Sequence, residues 1–277
     1  MRDSPASGLP FAKMHGAGND FVVIDQRRSG AGAVAPALVA ALADRHRGVG
    51  FDQLAVITPA DGADFGLTFY NADGSLSAAC GNATRCIAAA EMGETGERAL
   101  TIRTGGGLLR ARSEAGGVAV NMGPPRLTWE EIPLAEQVDT LSLPIEGEPA
   151  ATSMGNPHCT FFVADAEAIE IAELGPKMEH HPLFPERTNV QVVSLIGENR
   201  LRMRVWERGA GLTLASGSST CAVVAAAHRR GLTGRRAEVV ADGGVLAADW
   251  REDGIWLTGP VAHVFDGVLT AAFLERV

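Results

Sequence analysis

Two positions in the 277-residue chain set a small polar side chain at the mouth of a predicted helix. Cys80 stands in Asn71-Ala-Asp-Gly-Ser-Leu-Ser-Ala-Ala-Cys80-Gly81-Asn82-Ala-Thr-Arg-Cys86, where a strand-like run ending at Tyr70 passes through a polar turn into an alanine-rich segment. That segment reads as a helix stopped by Gly93. A helix N-terminus offers unbonded N–H groups and the positive end of a dipole. A thiol there, with an ordinary pKa of about 8.5, is favoured as thiolate and becomes a usable base or nucleophile near neutrality. Ser216 occupies the matching place in Trp206-Glu207-Arg208-Gly-Ala-Gly-Leu-Thr-Leu-Ala-Ser216-Gly217-Ser218, again before a short apolar helix closed by glycine at Gly231.

Other residues could serve these two. His158, in the polar turn Gly155-Asn156-Pro-His158-Cys159, suits an acid, base or orienting group. Glu207 offers a carboxylate as base or acceptor, and the Arg208 guanidinium could grip a carboxylate in two-pronged fashion. Asn19, Asn71, Asn156 and Asn189 lie in or beside predicted turns and are, one by one, ordinary turn residues. Cys86 and Cys221 read as small packing groups inside helices, and His228 as a cation at a helix end. His15 shares the turn setting of His158. Glu179-His180-His181 lacks convergent ligand spacing, so neither metal nor cofactor is expected.

The elements that must position these groups occur twice. A shift of 136 residues carries Tyr70 onto Trp206, Asn71 onto Glu207, Cys80 onto Ser216 and Gly123-Pro124 onto Gly259-Pro260. A shift of 137 carries Gly18-Asn19 onto Gly155-Asn156, and Gly106 to Leu109 onto Gly243 to Leu246. Two structural copies are therefore expected, facing each other, with Cys80 and Ser216 at equivalent helix mouths.

Along the chain, residues 1 to 9 read as loose and Phe11 to Asp25 as a glycine-rich turn feeding a strand. A helix is predicted over Val34 to Arg47, with strands over Phe51 to Ile57, Phe65 to Tyr70 and a meander through Leu100 to Met122. Pro124-Pro125 marks a boundary. The second copy is predicted to run through strands at Leu141 to Leu143 and Ala151 to Val163, a helix near Ala166 to Leu174, and strands at Asn189 to Leu195 and Leu201 to Trp206, with hairpins over Ala237 to Leu257. The division expected is an N-terminal domain 1–124, a C-terminal domain 125–263 and a tail 264–277 returning to the first domain. The fold class is α/β, each domain a curved, mostly antiparallel sheet around a central helix.

Bulk properties narrow the partners. A formal charge of −9 without a Lys/Arg block argues against nucleic acid. No stretch reaches bilayer length and no apolar leader is visible, so no membrane contact and a cytoplasmic location are expected. Four cysteines are too few for a disulfide scaffold at this length, and reduced thiols are expected.

Taken together, His15-Gly-Ala-Gly-Asn19-Asp-Phe, Gly50-Phe-Asp-Gln53, Phe69-Tyr-Asn71-Ala-Asp-Gly, Ala79-Cys80-Gly-Asn82-Ala-Thr-Arg-Cys86, Gly155-Asn156-Pro-His158, Asn189 and Trp206-Glu207-Arg208-Gly-Ala-Gly resemble the diaminopimelate epimerases. These are cofactor-independent enzymes of lysine and cell-wall precursor synthesis. The pieces span about Phe11 to Pro260. The resemblance implies two pseudosymmetric domains with the active site in the interdomain cleft, a small-molecule amino-acid substrate, and a homodimer. It implies that Asn19, Asn71, Asn156, Asn189 and Arg208 hold the distal end of the substrate, with Gln53 close by. It implies that Gly81-Asn82 and Gly217-Ser218 offer backbone N–H groups to the carboxylate at the reacting carbon, and that His158 and Glu207 support the two acid/base groups. Inverting a stereocentre without a cofactor needs a base on one face of the α-carbon and an acid on the other.

One position departs from the family. Its second cysteine falls at Ser216, and a hydroxyl is a much weaker acid than a thiol. Cys221 lies more than one helical turn further on and is not placed to substitute. Conversion of LL- to meso-diaminopimelate is therefore expected to be impaired, whether the serine replaces an original thiol or is a natural variant. Leu212, where relatives often have glutamate, is a smaller departure. Two other readings stand beside this one: a related racemase or dehydratase using Cys80, and a noncatalytic amino-acid-binding protein.

Overall fold

The computed structural model describes residues 8–30, 32–77 and 80–277. The expectation of a loose start falls mostly on residues 1–7, outside the described residues; Leu9 already opens the first strand. In chain order the elements are β1 (Leu9–Gly16), β2 (Asn19–Asp25), α1 (Gln26–Ser29), α2 (Pro36–Ala43), β3 (Gln53–Thr58), β4 (Phe65–Asn71), β5 (Leu76–Ser77), α3 (Gly81–Thr95), β6 (Ala99–Thr104), β7 (Gly107–Glu114) and β8 (Gly117–Asn121). There follow β9 (Ala150–Ser153), β10 (Pro157–Phe162), α4 (Ile171–Glu179), β11 (Asn189–Gly197), β12 (Arg200–Glu207), β13 (Gly211–Thr213), α5 (Gly217–Arg229), β14 (Arg236–Ala241), β15 (Gly244–Arg251), β16 (Gly254–Thr258), β17 (Ala262–Leu269) and α6 (Ala271–Leu274).

These elements form two compact units. Among the described residues, the first comprises the stretch through Gly16, Asp20–Glu114 and Val261–Val277; the second comprises Ala17–Asn19 and Ala115–Pro260. Each is a mixed α/β unit with a mostly antiparallel sheet, and the strand pairing repeats. In the first unit β2 runs parallel to β3, β3 antiparallel to β4, β4 parallel to β6, and β6 antiparallel to β7. In the second, β10 runs parallel to β11, β11 antiparallel to β12, β12 parallel to β14, and β14 antiparallel to β15.

The registers also coincide. Phe21 lies opposite Gln53 as His158 lies opposite Asn189, and Leu54 lies opposite Tyr70 as Val190 lies opposite Trp206. Residue-for-residue equivalence follows: Phe21 with His158, Val23 with Thr160, Ala55 with Gln191. The sequence shifts of 137 and 136 thus correspond to a repeated ladder, not only to a repeated motif.

Central helices carry small side chains because strands approach them from several sides. In α5 the run Cys221 to Ala227 is buried, and the helix packs against β9, β10, β11, β14, β15 and β16. Val193, Leu201, Met203, Val205, Val223 and Leu246 fill that core. Burying such aliphatic side chains stabilises the unit by about 1.5–3 kcal/mol each. Helix α3 packs on β1, β6 and β7 of its own unit. It continues past Gly93, the expected stop, and ends at Gly96, whose φ of 76° supplies the left-handed cap and whose N–H bonds Met92 O. A helix tolerates an interior glycine when packing holds it, at a cost of about 1 kcal/mol.

The strand expected at Leu141 to Leu143 is absent. Those residues turn, and Leu143 is buried instead with Ile132, Phe161 and Phe184. The long strand expected over Ala151 to Val163 breaks at Gly155, where φ is 94°, into the antiparallel pair β9 and β10. At Gly243 a Cβ would come within 1.9 Å of the Ala17 carbonyl, so only glycine admits the turn that carries Gly18 and Asn19 into the second unit.

Candidate functional site

In the first unit Cys80 is the N-cap of α3. Its φ/ψ of −144°/98° are extended and its Sγ accepts the Ala83 N–H at 3.4 Å. The helix's first internal bonds run from Thr84, whose N–H and Oγ1 both reach Cys80 O at 2.9 and 2.8 Å. The N–H groups of Gly81 and Asn82 lie ahead of those bonds, in the first turn of the helix. Cys80 is 7 % exposed. Burial pushes the Cys86 thiol up to about 11, despite the nearby Arg85, and its Sγ donates to His15 O. Burial also raises the Cys159 thiol. A thiol sunk among apolar groups resists ionisation, whereas one at a helix mouth is helped toward it.

Gln53 and Asn71 share this unit. Gln53 Nε2 donates to Asn71 Oδ1 at 3.3 Å and to Ser77 Oγ at 3.1 Å, while Asn71 Nδ2 donates to Ser75 Oγ at 3.0 Å. The two amides thus orient one another across β3 and β4.

In the second unit Ser216 repeats the Cys80 geometry. It caps α5 at φ/ψ of −136°/124°, its Oγ accepts the Ser219 N–H at 3.4 Å, and Thr220 N–H and Oγ1 reach Ser216 O at 3.0 and 2.9 Å. It is 4 % exposed. Gly217 and Ser218 precede the first internal bond as Gly81 and Asn82 do.

His158, on β10, is wholly buried. Its Nε2 lies 3.0 Å from Asn156 Oδ1, and its Nδ1 lies 3.0 Å from Gln191 Nε2. Burial, and next the positive charge of Arg208, push the imidazole down to about 3, so the ring is neutral at physiological pH. An amide N–H can only donate, which makes Nδ1 the acceptor and puts the ring proton on Nε2, facing Asn156. The ring is therefore built to orient a neighbour.

Asn189, Glu207 and Arg208 meet at one end of β11 and β12. Asn189 Oδ1 accepts the Arg208 N–H at 3.1 Å and its Nδ2 donates to Pro157 O at 2.8 Å. Glu207 Oε1 accepts from Thr213 Oγ1 at 2.6 Å, and Arg208 NH1 donates to Glu186 O at 3.0 Å. Asn19 begins β2, within the short segment that belongs to the second unit.

Sequence reasoning missed two groups of residues. In the sequence Glu179 stands out only as a neighbour of His180-His181. Its buried carboxylate instead accepts from Trp206 Nε1 at 2.7 Å, Gly209 N–H at 2.9 Å and Arg187 NH1 at 3.3 Å, tying down both sides of Glu207-Arg208. The signal was available: Ile171, Gly175, Met178 and Glu179 form the buried stripe of α4, and a carboxylate on such a stripe needs partners. Gln191, Thr160 and Ser219 are the second group: Gln191 and Thr160 are polar residues within largely apolar buried strands, and Ser219 is a buried member of a run of small polar residues.

Among the described residues no group of three or more His, Cys, Asp and Glu side chains could hold a metal ion, and no helix is long and apolar enough to cross a membrane.

Comparison with known proteins agrees with this architecture. The chain resembles a phenazine biosynthesis protein of the PhzF family from Bacillus anthracis at a TM-score of 0.69, with 14 % identity over 95 % of this chain and 99 % of that one. It resembles a hydroxyproline epimerase from Agrobacterium vitis at 0.64, with 14 % identity over 96 % and 94 %. Those likenesses concern the fold. In sequence it is 56 % identical to the diaminopimelate epimerase of Acidiphilium cryptum over 97 % of this chain and 99 % of the relative. It is 50 % identical to that of Rhodospirillum centenum over 95 % and 93 %. The family model described as diaminopimelate epimerase matches residues 11–128 and 150–264, and the chain belongs to that family.

Proposed function

We propose that Cys80 and Ser216 are the two groups that face the reacting α-carbon of diaminopimelate, with Cys80 as the effective base. The activity is that of a cofactor-independent isomerase, converting LL- to meso-diaminopimelate on the route to lysine. The observation that carries the assignment is the identity of the two cap geometries: each side chain accepts the N–H three residues on, and each threonine at the fourth position ties back to the cap carbonyl.

The Cys80 thiolate takes the α-proton, the C–H electron pair passes toward the α-carboxylate, and a proton delivered from the opposite face completes inversion. The N–H groups of Gly81, Asn82, Gly217 and Ser218 stabilise the charge gathering on that carboxylate. Asn19, Gln53, Asn71, Asn156, Asn189 and Arg208 hold the distal amino-acid end, while His158 and Glu207 keep their neighbours oriented. Ser216 can lend a proton only by becoming an alkoxide, and it cannot rest as an anion. Inversion is therefore slow here, and α-proton exchange initiated by Cys80 is the faster process. The protein works in the cytoplasm as a homodimer; exposed Val264, Phe265 and Val268 on β17 suit a protein contact.

The test is α-proton exchange in deuterated water with LL- and meso-diaminopimelate, on this chain and on Ser216→Cys. A gain in inversion of about 10²- to 10⁴-fold on restoring the thiol is expected, the usual worth of one proton-transferring group. Equal inversion by both would show that Ser216 is a competent proton carrier and would sink the impairment.

A further inference from the structure

Four polar side chains are buried together beneath the start of α5. Thr160 Oγ1 donates to Gln191 Oε1 at 3.0 Å; Gln191 Nε2 donates to Ser219 Oγ at 3.0 Å and to His158 Nδ1 at 3.0 Å; His158 Nε2–H donates to Asn156 Oδ1 at 3.0 Å. All four are buried, so their polar atoms have been withdrawn from water at a cost that only complete pairing offsets.

The fold itself does not need them. The repeated registers give each an equivalent in the first unit: Phe21 for His158, Val23 for Thr160, Ala55 for Gln191, and, by the shift of 136, Ala83 for Ser219. All four equivalents are apolar and buried, so the same ladder and the same helix start pack well with hydrocarbon. Only the turn asparagine is retained on both sides, as Asn19 and Asn156.

We propose that Gln191, held by Thr160 and Ser219, is a positioning residue that fixes the His158 tautomer and so turns the Asn156 amide with its oxygen inward and its NH₂ toward the substrate. A side-chain amide can rotate by half a turn at little steric cost, exchanging donor for acceptor. A carboxylate on the substrate's distal end is bonded by one orientation and repelled by the other. The chain of donors running from Thr160 to Asn156 selects the first, making this network a specificity device for an acidic distal group. The inference rests on Asn156 being a substrate contact.

The first experiment leaves the protein unaltered. Nitrogen-15 NMR of the His158 ring is expected to show the proton on Nε2 and a bare Nδ1; a proton on Nδ1 overturns the proposal. The second copies the first unit's solution into the second, as H158F/T160V/Q191A/S219A. This variant is expected to fold, because the sister unit carries those residues, and to bind meso-diaminopimelate about tenfold or more weakly in calorimetry, the scale of a hydrogen bond to a charged group. Unchanged affinity overturns the proposal.

Should that variant not fold, Gln191→Glu replaces it. A carboxylate at 191 only accepts, so the ring proton moves to Nδ1, Asn156 turns its oxygen outward, and affinity falls. A ring that keeps its tautomer, or a switched ring with unchanged affinity, overturns the proposal. Asn156→Ala separates the two levels: if it leaves affinity unchanged, the site reading fails; if it weakens binding while the network variants do not, only the network inference fails.

Discussion

At equivalent ladder and helix positions the first unit carries Phe21, Val23, Ala55 and Ala83 and caps its helix with a thiol; the second carries His158, Thr160, Gln191 and Ser219 and caps its helix with a hydroxyl. Cap angles, cap hydrogen bonds and ladder registers agree between them. The difference therefore lies in side-chain chemistry on a common frame. The thiol stands in the copy whose four equivalent positions are apolar, and the buried polar network in the copy whose cap is a hydroxyl. A duplicated fold permits this because each copy needs to satisfy only packing, and the residues left over can diverge.

The largest test of that comparison is Cys80→Ser, which makes both mouths hydroxyls. α-Proton exchange is expected to drop by about a thousandfold or more, as for loss of the principal base. Substantial residual exchange would show that the asymmetry between the mouths is not the one that matters. The swapped double variant C80S/S216C is expected to reverse which epimer exchanges its α-proton faster.

Smaller effects come from the supports. Glu179→Gln leaves the buried carboxylate site neutral and weakens its bonds to Trp206, Gly209 and Arg187. The diaminopimelate dissociation constant is expected to rise about three- to tenfold through a loosened Arg208 turn, at 1 kcal/mol or so. A change in melting temperature without a change in binding would make Glu179 purely structural.

The smallest concerns pH. Burial holds the His158 imidazole at about 3 in the folded state, against about 6.5 unfolded. Between those values the unfolded chain binds a proton that the native chain does not, so stability rises with pH through this window and falls on acidification below about 6.5. H158F/T160V/Q191A/S219A, matching the first unit, should lose that slope; urea titrations at several pH values would detect it.

Much of this was legible in the sequence because a repeat constrains twice. Tyr70 and Trp206, Cys80 and Ser216, and Gly123-Pro124 and Gly259-Pro260 align at a fixed shift, and structure follows where two copies agree. The polar network escaped because it lies where they disagree. A single glutamine within Asn189 to Val193 carries no periodic signal, and Ser219 is hidden in a run of small polar residues. Gly93 misled because tertiary packing overrides local propensity, and Leu143 because an apolar residue can be buried from a turn as well as from a strand.

The division of the chain also sets an order of assembly. Strand β1, from Leu9, pairs along its length with β17, from Leu269 back to Ala262. Residues 115–260 are all synthesised before that partner exists, so the second unit can close its own sheet while β1 still lacks its mate. The half that carries the thiol is the half completed last. During synthesis the reactive cap thus belongs to an unfinished unit, and a chain ending before Ala262 would retain the Ser216 half with an open edge at β1, a state prone to pairing with other strands.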